Sequence, residues 1–289
     1  MKKILLDDIE LEYDIFRSKN KESLNCINSI EENIILIHRG IMAYANIPIV
    51  IFSDILTKDY NIIHYRRRGY GKSTNKRNEP TSIFQHVEDC KKIMDFFGID
   101  KAHILGHSIG GAIALQLASN YSNKIESLIL LEPAITGYNE NTGQQQVIQE
   151  FEPLIHMYSK GQKNEAIDIF MKKAIGSNYK EIISNLLPSN SFELAITDAK
   201  TFFYDEIPFM KSWTSTKNQA KDLLHKKVLH IRGMQQSRKI SKDREDLLTC
   251  WLPQTMTISI PNAPHMIQIT NPREIVHAMN KFLQNVNRF

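Results

Sequence analysis

Short unbroken apolar runs recur along the chain: Asn33-Ile34-Ile35-Leu36-Ile37-His38, Tyr60-Asn61-Ile62-Ile63-His64-Tyr65, Ile104-Leu105 ahead of Gly106, Ile125 to Leu131, and Lys227-Val228-Leu229-His230-Ile231. Runs of this length without alternation predict strands buried on both faces of a sheet. Between them, apolar residues return at helical spacing. Ile83, Val87, Ile93, Met94 and Phe97 do so before Gly98, and Ile113, Leu115, Leu117 and Ala118 do so after Gly111. The same reading predicts two strands within 3–17 around an Asp7-Asp8 turn and a polar loop or insertion at 18–32. It predicts helices at 47–56 (after Pro48), 82–97, 241–250 and 272–285, and a strand at 255–260. Strands alternating with helices in this way imply an α/β fold with a mostly parallel central sheet flanked by helices. Residues 136–215 depart from that rhythm. They begin polar, at Gly143-Gln144-Gln145-Gln146, then turn helical, with aromatic and Met positions from Phe151 to Trp213.

Ligands of such sheets bind at the carboxyl ends of the strands. Here those ends carry His38, Arg66, Ser108, Glu132, Gly233 and the loop holding His265. One stretch is the most informative: Gly106-His107-Ser108-Ile109-Gly110, which reads as strand, tight turn and helix with a serine at the apex. A turn this sharp strains the apex backbone and presses strand against helix, so side chains beside the apex would clash. It holds the Ser108 hydroxyl above the sheet and aims the helix N-terminus and the Ile109 N–H at any oxyanion formed there. His107 points elsewhere when Ser108 points up, which is a structural role.

Composition narrows the chemistry by exclusion. The 289 residues are 42% hydrophobic and 24% charged, the balance of a globular protein with a sizeable core. The net charge of +4 comes from scattered residues, so nucleic acid is not an expected partner. Cys26, Cys90 and Cys250 lie far apart without a C-x-x-C, which fits reduced thiols in the cytoplasm. Asp7 and Asp8 cut short the apolar start, so export is not expected. No apolar run reaches the roughly 18 residues of a membrane span. The histidines are scattered with no H-E-x-x-H, and no Gly-rich phosphate loop follows the first strands, so neither a metal nor a cofactor is expected.

At this point the chain resembles an α/β-hydrolase-fold protein. Ile35-Leu36-Ile37-His38-Arg39-Gly40 is similar to that family's oxyanion strand end, and Arg68-Gly69-Tyr70-Gly71-Lys72-Ser73 to its R-G-x-G-x-S turn. Gly106 to Gly110 is similar to its nucleophile elbow, and Asn262-Ala263-Pro264-His265 with Asn271-Pro272 to its histidine loop. The resemblance implies a hydrolase core at 1–135 and 220–289 with a helical cap or lid at 136–219. It also implies Ser108 as nucleophile, His265 as general base, and the backbone N–H groups of Gly40 and Ile109 as oxyanion donors.

The acid departs from the family pattern. An aspartate usually follows the strand that ends here at Gly233, but this chain continues Met234-Gln235-Gln236-Ser237-Arg238. Glu132, directly after the strand next to the serine's own, is the favoured replacement, with Asp243 as the other candidate. The bland alternative for Glu132 is a strand-end residue capping the following turn. Arg39 stands where glycine is usual, and either tightens the oxyanion loop, contacts a substrate carboxylate or faces solvent; with His38 it is a candidate for substrate binding. Arg66 to Arg68 form a basic run expected to be mainly structural. The expected function is a carboxylesterase-like serine hydrolase cleaving an acyl bond of a small apolar substrate. The alternatives are a non-catalytic ligand-binding or sensor protein on the same scaffold, and an acyltransferase using the same acyl-enzyme.

Overall fold

The computed structural model describes residues 1–7, 9–19, 32–51, 53–74, 81–135, 140–213, 220–235 and 238–286. Its strands are β1 (Lys2–Leu6), β2 (Ile9–Phe16), β3 (Glu32–Ile37), β4 (Tyr60–Tyr65), β5 (Ala102–His107), β6 (Ile125–Leu131), β7 (Lys227–Gly233) and β8 (Met256–Ile260). They form one sheet in the order β1-β2-β4-β3-β5-β6-β7-β8. β2 pairs antiparallel with β1 and β4, and every later pairing is parallel.

The unbroken apolar runs have a direct cause. Ile35, Ile37, Ile104, Leu128 and Leu130 face one side, against α2 (Ile83–Phe96) and α3 (Ile109–Asn120). Their neighbours Ile34, Leu36, Leu105, Ile129 and Leu131 face the other, against the C-terminal helix α10 (Pro272–Val286). Both faces of the sheet are dry, so neither set is polar. The start of α2 is legible as a capping box. The Gln85 N–H donates to Ser82 Oγ (3.1 Å) and the Ser82 N–H to Gln85 Oε1 (2.9 Å).

Between β6 and β7 run α4 (Glu140–Ser159), α5 (Lys163–Ala174), α6 (Tyr179–Leu186), α7 (Ser191–Thr201) and α8 (Ile207–Ser212). A π-helical turn, Phe202–Glu206, joins the last two. These helices bury Tyr158, Phe170, Met171 and Phe203 in a cluster that takes in Ile41, Met42, Met266 and Ile269 from the sheet's upper edge. The aromatic and Met positions of this segment are therefore largely packing residues.

Three expectations need correction. The helix expected over 47–56 is α1 (Ile47–Ile51) followed by a separate 3-10 turn, Leu56–Lys58. Ser53 Oγ donates to the Val50 carbonyl at 2.6 Å, and a serine that takes a nearby carbonyl this way ends a short helix. The polar stretch Gly143 to Gln146 is already inside α4, since glutamine is a good helix former although it is polar. The helix expected at 241–250 begins earlier, as α9 (Arg238–Trp251). Residues 20–31 of the expected 18–32 loop lie outside the described residues, and Glu32 already belongs to β3.

Candidate active site

β5 ends at His107 and α3 begins at Ile109, leaving Ser108 alone at the apex with φ 54° and ψ −120°. A non-glycine residue rarely holds that backbone, and it persists here because its surroundings fix it. The Ser108 N–H donates to the Leu131 carbonyl (3.0 Å), while its carbonyl accepts from the N–H groups of Gly111 and Ala134 (both 2.8 Å). A Cβ on Gly106 would lie 2.3 Å from the Gly110 carbonyl oxygen, and one on Gly110 would lie 2.3 Å from that of Ile37. Both obstacles are backbone, so neither can swing aside. Gly110→Ala is accordingly expected to cost about 3 kcal/mol or more, read as a lower urea midpoint. An unchanged midpoint would contradict the close approach.

The histidine loop reaches this apex. His265 Nε2 lies 3.2 Å from Ser108 Oγ, and its Nδ1 lies 3.7 Å from Glu132 Oε2. Glu132 follows β6 in left-handed backbone, φ 43°, with its N–H donating to the Ile231 carbonyl at 3.0 Å. Its side chain, 3% exposed, takes the Gly233 N–H on Oε1 at 2.6 Å, and Oε2 faces the imidazole. The last residue of β7 thus supplies the backbone donor that holds the Glu132 carboxylate. His107 Nε2 donates to the His265 carbonyl at 3.1 Å, fastening the loop to the elbow. Burial holds the His107 ring well below its ordinary pKa, so it is neutral. Asp243 falls in α9, and its side chain lies outside the described residues.

The loop after β3 is held by a buried polar cluster. His38 Nδ1 donates to the Arg39 carbonyl (2.5 Å), and His38 Nε2 accepts the Arg67 N–H (3.0 Å). Both ring nitrogens are spent on backbone, leaving none for a ligand. Arg67 donates from Nε to the His38 carbonyl (3.2 Å) and from Nη2 to the Arg39 carbonyl (2.9 Å). Its charge is met by Glu206 of the π-helical turn, which also receives Tyr70 OH (2.7 Å) and contacts His86 Nε2 (3.0 Å). Burial opposes the charge on Glu206, yet Arg67 and His86 hold its carboxyl down at about 2. Asp198 of α7 accepts the N–H groups of Ala43 (3.2 Å) and Gly71 (3.1 Å), with burial raising it to about 6. Arg66 pairs with Glu12 (2.7 Å), and Arg68 forks onto Asp89 with two bonds of 2.8 Å. All three arginines of the run are thus buried ion-pair partners. Arg39 is buried too, only 2% exposed, which removes the solvent-facing alternative.

The sequence reading missed Arg67's grip on the loop and the two carboxylates, Asp198 and Glu206, that arrive from the inserted helices. It also missed Phe202, whose ring lies where a side chain at Gly40 would go. The one available signal was the arginine run itself, since three consecutive cations beside a buried strand require acids that the local sequence lacks. Among the described residues, no cluster of histidine, cysteine or carboxylate could hold a metal ion, and no helix is long and apolar enough to cross a membrane.

Comparison with known proteins identifies the fold family. Residues 33–272 match the family model described as alpha/beta hydrolase fold. A protein named as a carbamate hydrolase from Caulobacter sp. (strain K31) is 30% identical over 76 residues, covering 26% of this chain and 28% of that protein. The chain thus matches less than a third of that relative's length. The enol-lactonase from Burkholderia xenovorans LB400 superposes with a TM-score of 0.78 at 18% identity, covering 98% of this chain and 100% of that one. The meta-cleavage product hydrolase from Pseudomonas fluorescens IP01 gives 0.73 at 22% identity, covering 99% and 98%. At these identities the structural likeness is one of fold.

Proposed function

Given that the chain belongs to the alpha/beta hydrolase fold family, we propose that it is a serine hydrolase acting through an acyl-enzyme on Ser108. The observation that carries this reading is the Ser108–His265–Glu132 alignment, with Oγ 3.2 Å from Nε2 and Nδ1 3.7 Å from the carboxylate. Nε2 must be the unprotonated nitrogen to accept from Oγ, so the imidazole proton sits on Nδ1, facing Glu132. His265 takes the Ser108 proton as Oγ adds to the acyl carbon, and Glu132 stabilises the imidazolium. The same proton then leaves with the alcohol. Water repeats the sequence on the acyl-enzyme, its hydroxyl joining the acyl carbon and its proton passing through His265 back to Ser108. The 3.7 Å separation closes by under an ångström to a hydrogen bond, as ligand-free sites often require.

The negative oxygen is received by the N–H groups of Ile109 and Gly40. Ile109 opens α3, so its N–H has no acceptor within the helix. The Gly40 N–H belongs to the same peptide unit as the Arg39 carbonyl. In a trans peptide the two point opposite ways, and the chain has no cis bonds among its described residues. His38 and Arg67 grip that carbonyl, which sets the plane and so aims the Gly40 N–H. Arg67→Lys keeps the charge facing Glu206 but cannot hold both carbonyls. It is expected to lower kcat on p-nitrophenyl butyrate about 100-fold in a folded protein. An unchanged kcat would remove Arg67 from the account.

The same reading divides the chain into a body, 1–135 and 220–289, and a helical cap, 136–219, whose Phe202 covers Gly40. Its general test is turnover of p-nitrophenyl butyrate by the purified protein. Hydrolysis that obeys saturation and is abolished by a fluorophosphonate supports it. A folded protein with no turnover of short acyl esters counts against it.

A further inference from the structure

Arg39 is a buried cation that forms no ion pair with a carboxylate among the described residues. Its Nε and Nη1 have no hydrogen-bond partner among the described residues. Its guanidinium lies 5.2 Å from the centre of the Phe170 ring. Glu150 acts on it from α4, but that carboxylate is engaged by Lys173 at 3.0 Å. Tyr70, also felt by Arg39, spends its hydroxyl on Glu206. Burial pushes the Arg39 pKa down to about 9, which leaves it charged at neutral pH. The other three arginines of the region each face a carboxylate within 4 Å. An unpaired charge this deep is unfavourable unless something completes it.

Its position says what that something is. Arg39 immediately precedes Gly40, and its own carbonyl is fixed by His38 and Arg67. The root of the side chain is therefore held at the mouth of the oxyanion loop. Its charge also bears on the buried ring of His107, next to Ser108. The open Nε–H and Nη1–H lie on opposite sides of the guanidinium, and each is a charge-assisted donor for a carboxylate oxygen.

We propose that Arg39 anchors an anion subsite beside Ser108, and that the acyl substrates of this site carry a carboxylate. The preferred esters are half-esters of short dicarboxylic acids, the free carboxylate resting on Arg39 and the ester carbonyl on Gly40 and Ile109. This rests on the serine-hydrolase reading, whose failure shows separately, as loss of turnover on every ester.

The test compares p-nitrophenyl hemiglutarate with p-nitrophenyl valerate, which match in carbon number and differ in charge. Wild-type protein is expected to favour the hemiglutarate in kcat/KM by about 10- to 100-fold, the worth of charge-assisted hydrogen bonds. Arg39→Met is expected to collapse that ratio, whatever it does to each rate alone. A wild-type ratio near unity, or an Arg39→Met ratio equal to the wild type's, would overturn the proposal. Binding is tested without chemistry in the Ser108→Ala protein, where glutarate is expected to raise the melting temperature and valerate is not. Adding Arg39→Met should abolish that rise, and a rise that survives would overturn the proposal. Without any ligand, Arg39→Met should itself raise the melting temperature by about 2–4 °C, because it removes an uncompensated buried charge. A fall would mean that Arg39 is a structural ion-pair partner and would overturn the subsite.

Discussion

Ser108→Ala is expected to reduce kcat/KM on p-nitrophenyl butyrate by about 10⁴- to 10⁶-fold while leaving the melting temperature close to wild type. The separation of the two effects follows from how the apex is built. The elbow is held by the backbone of Ser108, through its N–H on Leu131 and its carbonyl on Gly111 and Ala134. The hydroxyl contributes to none of these bonds and instead faces His265 Nε2. Deleting it removes the nucleophile and keeps the turn. Oxyanion donors and the binding surface survive, which accounts for the residual rate above water. A Ser108→Ala protein retaining more than about a hundredth of wild-type activity would assign the chemistry to another group.

Glu132→Gln is the second large effect, a loss of about 10³- to 10⁴-fold in kcat with KM little changed. Glutamine keeps an oxygen for the Gly233 N–H, so the strand-end contact at 2.6 Å survives. What disappears is the negative charge opposite His265 Nδ1, and with it the partner of the imidazolium. The substitution therefore separates a catalytic acid from a residue that only caps the turn after β6. Asp243→Asn is the comparison. A large loss there, with Glu132→Gln close to wild type, would move the acid to α9.

Much of this was legible in the sequence, and for identifiable reasons. β3 and β4 are apolar without alternation because both faces are covered, so Ile34 and Ile35 can be apolar alike while facing opposite sides. The elbow was legible from its spacing, because Gly106 is demanded by the nearby backbone of Gly110, although Gly110 itself answers to the distant Ile37 carbonyl. His265 followed from its place between the last strand and the last long helix. Glu132 was the favoured candidate because Met234 to Arg238 holds no carboxylate, and the fold sets its Oε2 3.7 Å from His265 Nδ1. The hidden part consists of pairs joined only by the fold. Arg67 and Glu206 are 139 positions apart, and nothing near either one names the other. The burial of Arg39 was hidden for the same reason, since Phe170 covers it from an inserted helix. The overlong helix at 47–56 failed on a finer scale, where one serine hydroxyl outweighed an apolar pattern.

The most direct measurement is covalent labelling with a fluorophosphonate, followed by mass spectrometry of the digested protein. The account predicts one rapid adduct per chain, on Ser108, with labelling slowed at least about 100-fold in His265→Ala, because the hydroxyl then has no base. A folded wild-type protein that takes no label, or takes it at another residue, would contradict the account at its centre.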